Sequence, residues 1–159
     1  GVCGADSIET LSRQGRWDVD DDDSEVSADL VLSLPERLRP LQRTFEATGG
    51  VHAAGLFDLD GRALVVREDV GRHNAVDKVI GWALLNGRLP LRATILQLSG
   101  RLSFELVQKA YLAGIPIVSA VSAPSSLAVD TARHLGLTVA GFVRGSSLNL
   151  YAHPHRVRT

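Results

Sequence analysis

The sequence predicts an α/β fold built on a parallel or mixed sheet covered on both faces, and three observations carry that prediction. Beyond Pro90 the chain repeats a strand-then-helix unit: Ala93 to Leu98 with Glu105 to Ala113, Ile115 to Val121 with Leu127 to Leu135, then a third strand, Leu137 to Val143. These strands are continuous branched apolar runs, the pattern of strands buried on both faces. Each closes in small polar residues, Ser99-Gly100-Arg101, Ser122 to Ser126 and Arg144-Gly145-Ser146-Ser147. In such sheets ligands sit beyond the carboxyl ends of the strands.

Composition bounds the rest. A chain of 159 residues, 45% hydrophobic, can bury one core of ordinary size. A formal charge of −1 gives no basic footprint for a nucleic acid partner. No apolar run reaches the roughly 18 residues that cross a bilayer and no signal-like segment opens the chain, so the expectation is a cytoplasmic protein with no membrane partner. Methionine is absent, which reads as a processed product or a fragment. The single cysteine, Cys3, excludes a disulfide framework or a multi-thiolate zinc site within these residues, and no metal site is expected.

Taken in order, residues 1–29 read as a cysteine-bearing loop, a short helix and an acidic linker, and residues 30–159 as the ligand-binding domain. Glycines flank Cys3, and Asp6 or Ser7 can cap a helix through Ile8 and Leu11, a setting that lowers a thiol pKa. Asp18 and Asp20 to Asp23 lack the alternating ligands and turn glycine of an EF-hand loop and read as solvated linker. Leu30 to Leu34 reads as extended, with Ser33 and Glu36 as a capping box around Pro35. A helix then starts near Pro40, with Leu41 and Phe45 facing inward, and ends at Thr48-Gly49-Gly50. Val51 to Phe57 and Arg62 to Val66 form a hairpin about Asp58 to Gly61. The stretch Arg67 to Lys78, REDVGRHNAVDK, is a strand-to-helix turn in which Asn74 caps a helix carrying Ala75, Val76, Val79, Ile80 and Leu84. Leu148 to Ala152 is a further strand.

The predicted strand ends supply donors in series: Arg72 and His73, Ser99 and Arg101, the serines 122, 125 and 126, then Arg144, Ser146 and Ser147. Guanidinium groups, hydroxyls and glycine-exposed amides on one edge suit a phosphate or pyrophosphate better than an apolar ligand. Asp69 either acts in chemistry or orients Arg72 and His73; pairing of Asp69, Arg72 and Asp77 at a helix start is the plain structural alternative. His52, His153 and His155 show no metal-ligand spacing, and Ser99 with His73 lacks the GxSxG elbow of a hydrolase.

GVCG near the start, TGGVHAA at 48–54, REDVGRHNAVDK, SFELVQKAYLAGIP at 103–116, AVSAPSSLAVDTA at 120–132 and NLYAHPHR at 149–156 together resemble the FdhD family, the accessory sulfurtransferases of formate dehydrogenase. The resemblance implies a cytidine-deaminase-like three-layer sandwich with a mixed, mostly parallel sheet. It implies an activity in which persulfide sulfur passes from a cysteine desulfurase to the molybdenum or tungsten bis-guanine-dinucleotide cofactor of formate dehydrogenase. Family members carry a CxxC pair; Cys3 matches its second cysteine and is the expected catalytic thiol, while the first would precede Gly1, so this chain would lack one carrier thiol. The family's guanine nucleotide site includes the turn matching Val143, Arg144, Gly145, Ser146, Ser147 and Leu148. Arg72, His73, Ser99 and Arg101 join it as expected cofactor contacts, with GDP as a surrogate ligand and a homodimer as the expected assembly. The HxE and PCxxC zinc motif of the deaminases is missing, which argues against deamination. A non-catalytic module that holds or inserts the cofactor is the competing class.

Overall fold

The structure, a computed structural model, describes residues 15, 17–43 and 50–159. Cys3, the helix expected through Ile8 and Leu11, and the inward-facing Phe45 lie outside the described residues.

A six-stranded sheet forms the middle layer, in the order β3-β2-β4-β5-β6-β7. Its strands are β2 (His52–Asp58), β3 (Ala63–Asp69), β4 (Thr94–Leu98), β5 (Ile117–Ala120), β6 (Thr138–Arg144) and β7 (Ser147–Ala152). β4, β5 and β6 pair in parallel, β2 lies antiparallel between β3 and β4, and β7 returns antiparallel to β6, so four of the six strands run one way. β4 and β5 are buried along their whole length, which is why they read as apolar runs interrupted only by Thr94, Gln97 and Ser119, themselves buried.

Alternate side chains of these strands feed two cores. On one face α2 (Arg72–Leu85), α3 (Phe104–Leu112) and α4 (Ser126–Leu135) cover Leu56, Leu96, Leu98, Val118 and Val139. On the other, among the described residues, α1 (Ala28–Leu38) sets Val31, Leu34 and Leu38 on Ala53, Phe57, Ile95, Ile117 and Val143. Leu34 and Leu38 are 0% and 1% exposed, each burial contributing on the order of 2–3 kcal/mol before entropy is set against it. The sheet covered on both faces that the strand pattern predicts is therefore present.

α1 corrects the extended reading of Leu30 to Leu34. Ser27, not Ser33, caps it: the Leu30 N–H donates to Ser27 Oγ at 3.1 Å. Ser33 Oγ instead donates to the Leu30 carbonyl at 2.6 Å and accepts from Arg37 Nε at 2.9 Å. Val31, Leu34 and Leu38 recur at helical spacing, and the helix runs through Pro35 because packing of that stripe outweighs one missing N–H bond. Pro40 falls in a 3-10 turn, Arg39–Leu41, after which residue 43 is helical again; residues 44–49, where the helix expected from Pro40 would continue, lie outside the described residues.

The aspartate run is likewise no solvated linker. Asp18 caps a 3-10 turn, Val19–Asp21, by accepting from the Asp20 N–H at 3.0 Å. Val19, Asp22 and Ser24 are buried, and Asp22 accepts from the Ser24 N–H at 2.9 Å, from the Ala93 N–H at 3.0 Å and from the Ser24 hydroxyl. Arg156, 1% exposed, closes over this segment: it donates to the carbonyls of Val19 at 2.8 Å, Asp22 at 3.1 Å and Gly136 at 2.7 Å, and to Thr138 Oγ1 at 3.1 Å. A short parallel pair, β1 (Val26–Ser27) with β8 (Val157–Arg158), continues the attachment. The boundary expected between residues 29 and 30 falls in the first turn of α1.

Candidate functional site

The carboxyl ends of β4, β5 and β6 and the start of β2 meet at one edge of the sheet, and a cavity of about 610 Å³ opens there beneath α1. Its volume lies within the roughly 300–1,000 Å³ of small-molecule clefts. From the sheet come His52, Ser99, Val121, Arg144 and Gly145; from α1 and the turn after it come Leu32, Pro35, Glu36, Arg39 and Gln42. The helix contributes one stripe, at positions 32, 35, 36 and 39, the i, i+3, i+4, i+7 face of a helix.

Local sequence explains how each sheet residue is held. Ser99 Oγ accepts the Ala53 N–H at 2.8 Å while the Ser99 N–H donates to the Ala53 carbonyl at 3.1 Å, locking the end of β4 to the start of β2. Next to it a Cβ on Gly100 would stand 3.3 Å from His52 Nδ1, so glycine leaves room for the imidazole. Arg144 ends β6 with its guanidinium 5.7 Å from the Phe142 ring centre. It pairs with Ser147 across a two-residue turn whose first residue, Gly145, sits at φ 61°, the left-handed region glycine takes without penalty.

The expected contacts thus divide. Ser99, Arg144 and Gly145 are gathered on the cavity. Val143 is buried under α1 and Leu148 packs on the same core, so their side chains serve packing, while Ser146 and Ser147 are exposed on the turn outside the lining. Arg101 is exposed beyond β4 and does not line the cavity.

Arg72 and His73 open α2, on the opposite face of the sheet. His73 Nε2 lies 3.1 Å from Ser103 Oγ and 3.8 Å from Glu105, tying the start of α2 to the start of α3. Glu105 sits below the usual carboxylate range because its own N–H, the Ser103 hydroxyl and His73 all favour the anion. Arg72 Nε is buried with no hydrogen-bond partner among the described residues.

Asp69 orients neither Arg72 nor His73. Its carboxylate accepts from the Gly71 N–H at 2.9 Å and from Asn74 Nδ2 at 3.2 Å, and meets Lys78 at 2.9 Å. Those contacts, the Gly71 N–H foremost, hold its pKa at about 2. Gly71 is the N-cap of α2 and Asn74 lies inside the helix, correcting the expected cap; Asp77 pairs with Lys109 at 2.6 Å. Glu36, Arg39, Gln42 and His52 line the cavity without having been singled out for it in the sequence, and the stripe on α1 is the signal that would have found the first two.

Comparison with known proteins agrees with this architecture. The FdhD/NarQ family matches residues 1–158. A sulfur carrier protein FdhD from Corynebacterium efficiens is 60% identical over 154 residues, covering 96% of this chain and 54% of the relative. Its counterpart from Streptomyces avermitilis is 55% identical over 158 residues, covering 99% and 56%. The crystal structure of a candidate formate dehydrogenase accessory protein from Desulfotalea psychrophila superposes with a TM-score of 0.78 at 34% identity, over 86% of this chain and 58% of that one. The chain spans a little over half the length of these relatives. With the family matched from one end of the sequence to the other, the chain belongs to the FdhD/NarQ family.

Proposed function

We propose that this chain is the cofactor-holding part of a sulfur carrier that takes persulfide sulfur from a cysteine desulfurase and hands it to the molybdenum or tungsten bis-guanine-dinucleotide substrate destined for formate dehydrogenase. The observation that carries the reading is the cavity at the carboxyl edge of the sheet, where the apolar Leu32, Pro35, Leu38, Val51 and Val121 stand with the donors of His52, Ser99, Arg39 and Arg144. Such a lining suits a nucleotide, whose base wants apolar cover and whose phosphates want charge-assisted hydrogen bonds. Ser99 Oγ accepts the Ala53 N–H, which leaves its hydroxyl proton to donate to a ligand. The relatives named sulfur carrier protein FdhD supply the sulfur half of the proposal.

In that half a thiolate, Cys3 or its CxxC partner, attacks the outer sulfur of the donor's persulfide. The donor S–S bond breaks, the desulfurase cysteine leaves as thiolate, and the carrier holds the new persulfide with no net redox change. The carrier would act in the cytoplasm, where desulfurase and client meet. Isothermal titration of this chain with GDP tests the cofactor half, and binding at one site per chain is expected. A persulfide mass shift on the full-length protein after incubation with desulfurase and cysteine tests the other. If replacing both cysteines of the full-length protein left formate dehydrogenase activity intact in cells, the chain would be a holding module only.

A further inference from the structure

The six-stranded sheet ends in β3 on one side and β7 on the other, and neither has a further strand beside it among the described residues. An unpaired edge presents N–H and C=O groups to any other strand that reaches it. Which groups face out on β3 follows from β2. Ala53 spends its N–H on Ser99 Oγ and its carbonyl on the Ser99 N–H, both toward β4, so His52, Ala54 and Leu56 bond toward β3. Their partners are Asp69, Arg67 and Val65, which leaves Leu64, Val66 and Glu68 with backbone groups pointing away from the sheet. The run Ala63-Leu64-Val65-Val66 is uncharged and rich in strand formers, the composition that pairs edge to edge.

Two of those outward carbonyls are occupied by cations. The Val66 carbonyl accepts from Arg67 Nη1 at 2.9 Å, and the Glu68 carbonyl accepts from Lys78 Nζ at 2.8 Å, with Lys78 steadied by Asp69 at 2.9 Å. The opposite edge repeats the arrangement. The register of β7 with β6 passes from Leu150 to Ala152, and the carbonyl of the skipped Tyr151 accepts from Arg133 Nε at 3.0 Å. Arg67, Lys78 and Arg133 are all exposed, and holding an exposed cationic chain in one place costs rotamer entropy. They come from three different elements, β3 itself, α2 and α4, yet all three end on the backbone of an edge strand. We infer that Arg67, Lys78 and Arg133 guard the two edges and close the sheet to strand addition, whether by a second copy of the chain or by an extended peptide. Protein partners then dock on helices, loops or the mouth of the cavity, and the stretch Arg67 to Lys78 has a duty separate from the cavity on the other face.

Two variants test this, Arg67→Thr combined with Lys78→Ala for β3, and Arg133→Ala for β7. Threonine suits a strand and alanine a helix, so both replacements keep the local structure. Each variant takes positive charge from a chain whose formal charge is already −1, so charge alone opposes association. Mass is followed by light scattering over a protein-concentration series, folding by far-UV circular dichroism and backbone amide exchange by NMR. In wild type the Leu64 and Val66 amides should exchange faster than those of Val65 and Arg67, which are bonded to β2. With rising concentration the double variant is expected to at least double its mass relative to wild type. Its Leu64 and Val66 amides should then exchange roughly tenfold more slowly, as they gain acceptors on a neighbouring strand. Arg133→Ala is expected to associate through β7 with no added protection at Leu64 and Val66. A folded double variant that keeps the wild-type mass throughout overturns the inference, and so does one that associates while those two amides exchange at the wild-type rate. Should the double variant fail to fold, Arg133→Ala decides: wild-type mass at every concentration refutes the guarding role.

Discussion

Arg156 shows what a single side chain does for this fold. Its guanidinium is buried, and burial pushes its pKa below that of a free guanidinium, with the charges of Asp22 and Asp20 opposing. Its fork spans carbonyls from Val19, Asp22 and Gly136, residues far apart in sequence, which a single ammonium cannot reach at once. Arg156→Lys is expected to cost on the order of 2–4 kcal/mol in urea denaturation, and Arg156→Ala at least as much, because several buried carbonyls lose their donor. Asp22 beside it makes the same segment sensitive to acid. Burial alone would raise its pKa, but the Ser24 hydroxyl, the N–H groups of Ala93 and Ser24 and the charge of Arg156 outweigh burial and leave it below 3.8. A depressed carboxylate contributes stability that is complete above its unfolded value and is lost as pH falls through the lower folded value. Stability should therefore drop more steeply below about pH 4 in wild type than in Asp22→Asn, measured by urea midpoints across that range. Neither residue announces this role in the sequence: five aspartates read as solvated until the arginine 134 positions away is brought onto the carbonyl of Asp22.

At the scale of elements, α1 carries half of the cavity and depends on one cap. Ser27→Ala should cost about 1 kcal/mol, read as a shift in denaturation midpoint at unchanged m-value, because the Leu30 N–H loses its acceptor. The helix was hidden for a physical reason. Leu30-Val31-Leu32 mimics a strand, and Pro35 and Pro40 each forbid an N–H bond, so local propensity argues against what the buried stripe of Val31, Leu34 and Leu38 enforces. The strands were readable because β4 and β5, covered on both sides, are mostly apolar with no regular polar alternation, and their helices follow at regular spacing. The start of α2 was half readable: the turn was placed correctly at Gly71, but Asp69 takes the anion's role at the helix end from outside the helix, with Asn74 donating to it.

For the whole molecule, topology points to the edge of the sheet where the cavity lies and not to the face that carries it. Donors at the carboxyl edge could belong to either core, and the structure puts the cavity on the α1 side, gathering Ser99, Arg144 and Gly145 and setting Arg72 and His73 on the far side. That division predicts a separation of effects. A ligand that binds only the folded chain stabilises it by about 2.7 kcal/mol at a hundredfold excess over its dissociation constant. For a chain of this size each kcal/mol raises the melting temperature by about 2–4 °C, so saturating GDP should add roughly 5–10 °C. Arg144 is exposed, so Arg144→Ala should melt near the wild-type temperature without ligand and show a shift reduced at the same GDP concentration. His73→Ala, on the opposite face, should lose the contact with Ser103 and a fraction of basal stability yet keep the wild-type shift. Equal loss of the shift in both variants would place the nucleotide across the sheet edge, against both faces, and would contradict a site confined beneath α1.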